Sequence, residues 1–261
     1  MEPAELAAAE REATTGAQFD REGLKRGIWE AWRAGRAELR CWVLGSGVAD
    51  RKPLARIVCF LPGDAAQASS QPPFEFWTRI FTWFGPAADG GPWRVTWFAS
   101  PTPRKFPGLG QDLGPEHVNG GYTRPCSSEG IFIYRAEEVT RVLIHELLHA
   151  ACLDETGAGW SIPLREAQVE VWAELILVAL LSKGSPAAAK RLWGEQAQWI
   201  ADTNWKARAQ HGTRDISDYA WRYLCGREDM YARLGVALPA ARPAAAARMT
   251  STRFTHPSLG L

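Results

Sequence analysis

Histidine and methionine are scarce in this sequence, with five and three residues, and cysteine never occurs as a C-x-x-C pair. The five cysteines, at 41, 59, 126, 152 and 225, are odd in number and scattered. That pattern argues against a disulfide framework or a structural zinc knuckle and fits a reducing compartment. No strong charge of either sign is present: the formal net charge is +1, and a nucleic-acid partner, which needs a concentrated basic face, is not expected. The opening residues Met1-Glu2-Pro3-Ala4-Glu5 are acidic and lack an apolar leader, so no secretory signal is expected. The longest apolar run, Val171 to Leu181, is interrupted by Glu174 and is too short to span a bilayer. No membrane association is therefore expected, and a cytoplasmic or otherwise intracellular location follows. Internal repeats are also missing.

What is present reads as one large folded region between two tails. Residues 1–19 are rich in Ala and Glu and suggest a frayed helix or a flexible tail. Residues 238–261 are an Ala/Pro-rich stretch followed by Ser, Thr and Pro, the composition of an unpacked tail. In between, Asp20 is placed to cap a helix in which Leu24, Ile28 and Trp32 recur every four residues. Strand-like runs follow at Leu39–Leu44, Ala55–Leu61, Phe74–Phe84, Trp93–Ala99 and Ile131–Tyr134, separated by Gly/Pro-rich turns. From Ala136 the pattern is helical: a first helix ending near Cys152, a second opening at Pro163, a third at Ser185-Pro186 and a fourth after Asp215. Strands first and helices second predict an α+β fold, a mixed sheet over 39–134 and a helical half over 136–235, within one domain spanning 20–237.

The most telling segment is Val142-Leu143-Ile144-His145-Glu146-Leu147-Leu148-His149-Ala150. On a helix, positions i and i+4 share a face, so His145 and His149 offer two imidazole nitrogens to one metal. Glu146, about 100° further round, sits beside that metal and can take a proton from its water. Two core histidines hydrogen-bonded to backbone would be the structural alternative. The apolar neighbours weigh against it, because an isolated polar triplet on a buried helix is costly unless something satisfies it.

A catalytic zinc site takes three protein ligands, so a third must come from elsewhere. Glu155 stands at the spacing of a metzincin, but Cys152 occupies the position where that pattern has glycine. Cys152 itself shares the helical face of the two histidines. The remaining candidates are Glu166, Glu170 and Glu174, spaced four apart in one row that runs into an apolar stretch where a carboxylate wants a cation.

Glu170-Val171-Trp172-Ala173 resembles the glutamate-x-aromatic-alanine step of gluzincins. That resemblance implies Glu170 as third ligand, Glu174 as a residue that orients a ligand histidine, and Glu166 as the fallback ligand. A longer series resembles a poorly characterised group of zincin-like HExxH proteins associated with large DNA viruses and protists. It includes Val95-Thr96-Trp97-Phe98, Arg104-Lys105-Phe106-Pro107, Val118-Asn119-Gly120-Gly121-Tyr122-Thr123, Ile131-Phe132-Ile133-Tyr134, Leu153-Asp154 and Ser217-Asp218-Tyr219. A zincin-like fold is implied, in which a strand at Asn119, Gly120, Gly121 and Tyr122 pairs with an extended peptide by main-chain hydrogen bonds. The same four residues also read as a plain hairpin turn. An oxyanion donor is implied beyond the third-ligand helix, where Tyr219 is preferred over Tyr223 and His211.

These expectations combine into a zinc metallopeptidase acting on a peptide or protein substrate. His145, His149 and Glu170 hold Zn²⁺, Glu146 is the general base and Tyr219 supports the oxyanion. A catalytically idle zincin-fold scaffold and a zinc hydrolase of non-peptide amides are the alternatives. Glu146 favours an enzyme, since a structural ion needs ligands but no base.

Overall fold

In the computed structural model, residues 1–15, 20–45, 52–63, 73–108, 110–154, 161–242 and 249–251 are described. The fold is α+β, with five strands in one mixed sheet and the helices concentrated in the second half. The chain divides into two compact units, where one domain was expected. The first is built from Met1–Pro103 and Asn119–Leu153, the second from Arg104–Val118 and Asp154–Arg253.

The first unit holds the sheet. Strands β1 (Ala37–Leu44), β2 (Ala55–Pro62), β3 (Trp93–Phe98), β4 (Gly121–Thr123) and β5 (Ile131–Ile133) are ordered β1-β2-β3-β5-β4. β2 pairs parallel with β3 and β3 with β5, whereas the outer pairs β1/β2 and β5/β4 are antiparallel. Ile57 to Leu61 is an unbroken buried run in β2, as expected for a central strand covered on both faces.

Helix α1 (Pro3–Thr15) occupies most of the segment expected as a frayed helix or a flexible tail. Ala9 and Ala13, one turn apart, are buried against Trp29, Phe60 and Phe98. Alanine carries little hydrophobic signal in a sequence, but its small side chain permits close helix approach, which is why composition alone missed this contact. Helix α2 (Leu24–Arg33) follows, and the Asp20 carboxylate accepts from the N–H groups of Leu24 and Lys25 at 2.8 and 2.7 Å, the capping expected of it.

Phe74–Phe84, expected as a strand, is helix α3. Its buried residues Phe76, Trp77, Ile80 and Phe81 follow a helical period, and that period outweighs the β propensity of so many aromatics. Trp77 donates through Nε1 to Thr140 Oγ1 at 2.9 Å, which braces helix α4 (Val139–Ala150).

The second unit is helical. Helix α5 (Ile162–Leu181) has Pro163 in its first turn, and α6 (Pro186–His211) is capped by Ser185, whose hydroxyl accepts from Ala188 N at 3.3 Å. A short helix α7 (Tyr219–Trp221) runs through a π-helical turn (Arg222–Gly226) into α8 (Arg227–Arg233). Part of the expected C-terminal tail is ordered onto this unit. Arg242 pairs with Asp202 at 2.7 Å, and Ser251 donates to Gln196 Oε1 at 2.8 Å; both acceptors lie on α6. Among the described residues, no helix is long and apolar enough to cross a membrane.

Candidate metal centre

Every residue of α4 from Val139 to Ala150 is buried. The helix packs on β4, β5 and α3, so no face is left for water, and its polar residues must be accommodated by other groups. The sequence places His145 and His149 one turn apart, and their Nε2 atoms stand 3.2 Å from each other. Two ligands of a tetrahedral zinc ion, each at about 2.05 Å, are separated by about 3.3 Å. The imidazole pair therefore has the spacing the ion needs.

Backbone contacts explain why α4 is held so tightly to the sheet. A Cβ at Gly121 would stand 2.7 Å from Val142 Cγ1, 2.9 Å from Phe132 O and 3.4 Å from Glu146 Oε1. Only glycine permits this approach of β4 to the motif helix. Gly120 accepts through its carbonyl from Tyr134 N at 2.9 Å, and Asn119 accepts from Arg135 Nε at 3.0 Å. Tyr122 stacks on Phe132, with its ring 4.7 Å from the Lys25 ammonium. The segment Asn119–Tyr122 thus leads into an outermost, hydrogen-bonded strand of the sheet, not a free hairpin turn.

Cys126 and Cys152 form a disulfide, which corrects the expectation that the cysteines are unpaired. Their backbone N–H groups both donate to the carbonyl of His149, at 2.9 and 3.1 Å. The bond ties the end of α4 to the loop between β4 and β5. It removes Cys152 as a thiolate ligand and, with it, the cysteine argument for a reducing compartment. A count of scattered cysteines cannot reveal a pair 26 residues apart in sequence that the fold brings together. Cys41, Cys59 and Cys225 remain as free thiols.

In the second unit, the glutamate row of α5 meets a matching row. Tyr223, Arg227 and Tyr231 are also spaced four apart. Tyr223 donates to Glu166 Oε2 at 2.9 Å, Arg227 Nη1 lies 2.8 Å from Glu174 Oε1 and 3.7 Å from Glu170, and Tyr231 donates to Glu174 Oε2 at 2.6 Å. Gln196 of α6 adds a bond to Glu174 at 2.8 Å. Glu174, fully buried, is therefore a junction of α5, α6 and α8 rather than a solvated acid. Burial, reinforced by the Glu166 charge, raises the Tyr223 hydroxyl well above its ordinary pKa; burial and Glu174 do the same for Tyr231. Both phenols stay protonated and act as donors.

Tyr219 is half-buried, and its phenol oxygen lies 3.3 Å from that of Tyr223. Arg222 covers its ring at 5.0 Å. His211 ends α6, and Glu155 lies outside the described residues. The row Tyr223, Arg227, Tyr231 was not singled out in the sequence, although its spacing, equal to that of the glutamates, was a usable signal.

No protein family, no curated protein and no solved structure matches the chain.

Proposed function

We propose that the protein is a zinc-dependent hydrolase of peptide bonds with a zincin-like fold. The ligands in this reading are His145 and His149, with a carboxylate of the glutamate row Glu166, Glu170 and Glu174 as the third, a His/His/Glu donor set suited to zinc. Glu166 takes the place first given to Glu170, because Arg227 lies against Glu170 and Glu174 and already offsets their charge. The observation that carries the proposal is the 3.2 Å separation of two buried imidazole nitrogens on one helix, with a carboxylate at the next residue.

Bound Zn²⁺ supplies a Lewis acid and a water acidified to near neutral pH. Glu146 accepts the proton of the attacking water on its carboxylate and returns it to the leaving amine. Asn119 to Tyr122 orient an extended substrate through main-chain groups on β4, a role supported by the outermost position of that strand. Tyr219 offers its hydroxyl to the developing oxyanion. Burial of the whole of α4 excludes bulk water from the proton transfer.

Elemental analysis and a peptide-library cleavage assay test this reading together. The expected result is one zinc per chain, with cleavage abolished by chelation and restored by zinc. Because the fold has its own core, chelation should leave most of the melting temperature in place. Purified protein that neither contains nor takes up a divalent metal would refute the proposal.

A further inference from the structure

We propose that the first unit carries a separate small-molecule site on the face of its sheet turned away from α3 and α4, and that its ligand is a small monocarboxylate with an apolar body. Thr96 and Trp97 are neighbours on β3, so their side chains point to opposite faces. Trp97 faces Trp77 of α3, with ring centroids 6.3 Å apart. Thr96 stands in register with Val58 of β2 and Phe132 of β5, on the face that α1 covers. A cavity of about 250 Å³ lies there, with Val58, Thr96 and Phe132 as its floor and Ala4 and Ala8 of α1 beside it. Ala9 and Ala13 of the same helix close against Trp29, Phe60 and Phe98, whereas Ala4 and Ala8 leave this space open. Pockets for drug-sized ligands begin near 300 Å³, so the cavity suits a molecule of about ten non-hydrogen atoms.

Two observations give the ligand its chemistry. Thr96 is only 8% exposed, and among the described residues nothing donates to its hydroxyl or accepts from it. A hydroxyl held in an otherwise apolar row is costly until something bonds it. The second observation is the charge around the rim. Arg56 meets Glu5 and Glu2, Arg94 lies 3.5 Å from Asp89, and Glu129 pairs with Arg124. Arg11, exposed on α1, is the one lining charge without an oppositely charged partner among the described residues. A ligand carboxylate at the rim completes Arg11, an apolar body covers Val58, Phe132 and Ala8, and a polar atom on that body meets Thr96. A cationic ligand would instead bring like charge to Arg11.

Ligand-observed NMR titration of the full-length protein with benzoate, benzamide and the three isomers of hydroxybenzoate tests the site. Benzoate should bind with a dissociation constant of about 0.1–1 mM, in keeping with its size. At least one hydroxybenzoate should bind about tenfold more tightly, the gain from bonding a buried hydroxyl. Thr96→Val, which keeps the shape of the side chain, should cancel that gain and leave benzoate unchanged, and Thr96→Ser should retain it. Arg11→Gln should weaken all the acids by about threefold, the size of an exposed charge pair. Ala8→Leu fills the cavity from α1 and should abolish binding. Acids that bind Ala8→Leu as they bind wild type lie elsewhere, at the metal centre for instance, and the proposal then fails. It fails equally if none of the acids binds, if benzamide binds as tightly as benzoate, if no isomer improves on benzoate, or if the improvement survives Thr96→Val. Should Thr96→Val not fold, Thr96→Ser, Arg11→Gln and Ala8→Leu decide the matter by the same expectations.

Discussion

Helices α4 and α5 pose the same problem, ionisable residues one turn apart on an apolar helix, and their own surroundings answer it differently. On α5 the carboxylates meet a second helical row, so that Glu174 ends up with Arg227, Tyr231 and Gln196 as partners. On α4 the two imidazoles converge on each other with their Nε2 atoms 3.2 Å apart. A buried charge is tolerated when an opposite charge and hydrogen bonds meet it, and α5 supplies both from its own unit. Two like nitrogens at ligand spacing are instead the arrangement a cation would complete. Spacing of four residues therefore marks a buried polar row, and only the facing groups show whether it serves the fold or the chemistry.

The contrast breaks most sharply at Glu146. Glu146→Gln should lower peptide cleavage by about 10² to 10⁴-fold, the range for loss of a general base, with zinc content and melting temperature unchanged. Activity within tenfold of wild type would assign α4 to structure as well. On α5, Glu174→Ala should cost about 3–5 kcal/mol of stability in urea unfolding, because Arg227 is left buried with its main partner gone. Replacing both, as Glu174→Leu with Arg227→Met, should recover most of that loss. Reduction of Cys126–Cys152, which closes a span of 26 residues around α4, should cost about 3 kcal/mol, read as a lower urea midpoint in dithiothreitol than without it. Gly121→Ala should destabilise by about 1–3 kcal/mol through overpacking against Val142, and reduce cleavage, since the added methyl also faces Glu146.

The smallest effect concerns pH. Burial pushes the Asp202 carboxyl up, but hydrogen bonds from Arg242, and one from Gln198, outweigh it and leave the group below its ordinary pKa. A depressed folded-state pKa contributes stability that is complete above the unfolded value of about 4 and is lost as pH falls through the folded value. Asp202→Asn should therefore lower stability above about pH 5, where the wild-type contribution is complete, and flatten the acid limb of the stability curve, the two proteins converging as pH falls. A variant whose difference from wild type persists undiminished into strong acid would contradict the linkage.

Legibility in the sequence followed hydrophobic contrast. β2, β3 and β5, and the starts of α5 and α6, were readable because apolar runs, Pro163 and Ser185-Pro186 stand out against their neighbours. The packing of α1 was not, because Ala9 and Ala13 bury little area each, and α3 was misread because aromatic content was weighed above period. At the candidate centre, His145, Glu146 and His149 were evident from local spacing. The tyrosine and arginine partners of Glu166, Glu170 and Glu174 lie more than fifty residues on, and one of them, Tyr223, stands inside a π turn, a backbone form that no simple period announces.

That turn has an evolutionary reading. A π turn is an α-helix with one residue too many, so the chain from Arg222 to Gly226 behaves as a single-residue insertion. In an ordinary helix one residue more or less rotates everything beyond it by about 100°, but here the wide turn absorbs the extra residue and keeps the helix beyond in phase. Removing one residue from the turn would tighten it to an ordinary helix and leave Arg227 and Tyr231 facing the glutamate row. The segment accordingly tolerates the loss of one residue better than the regular helices on either side.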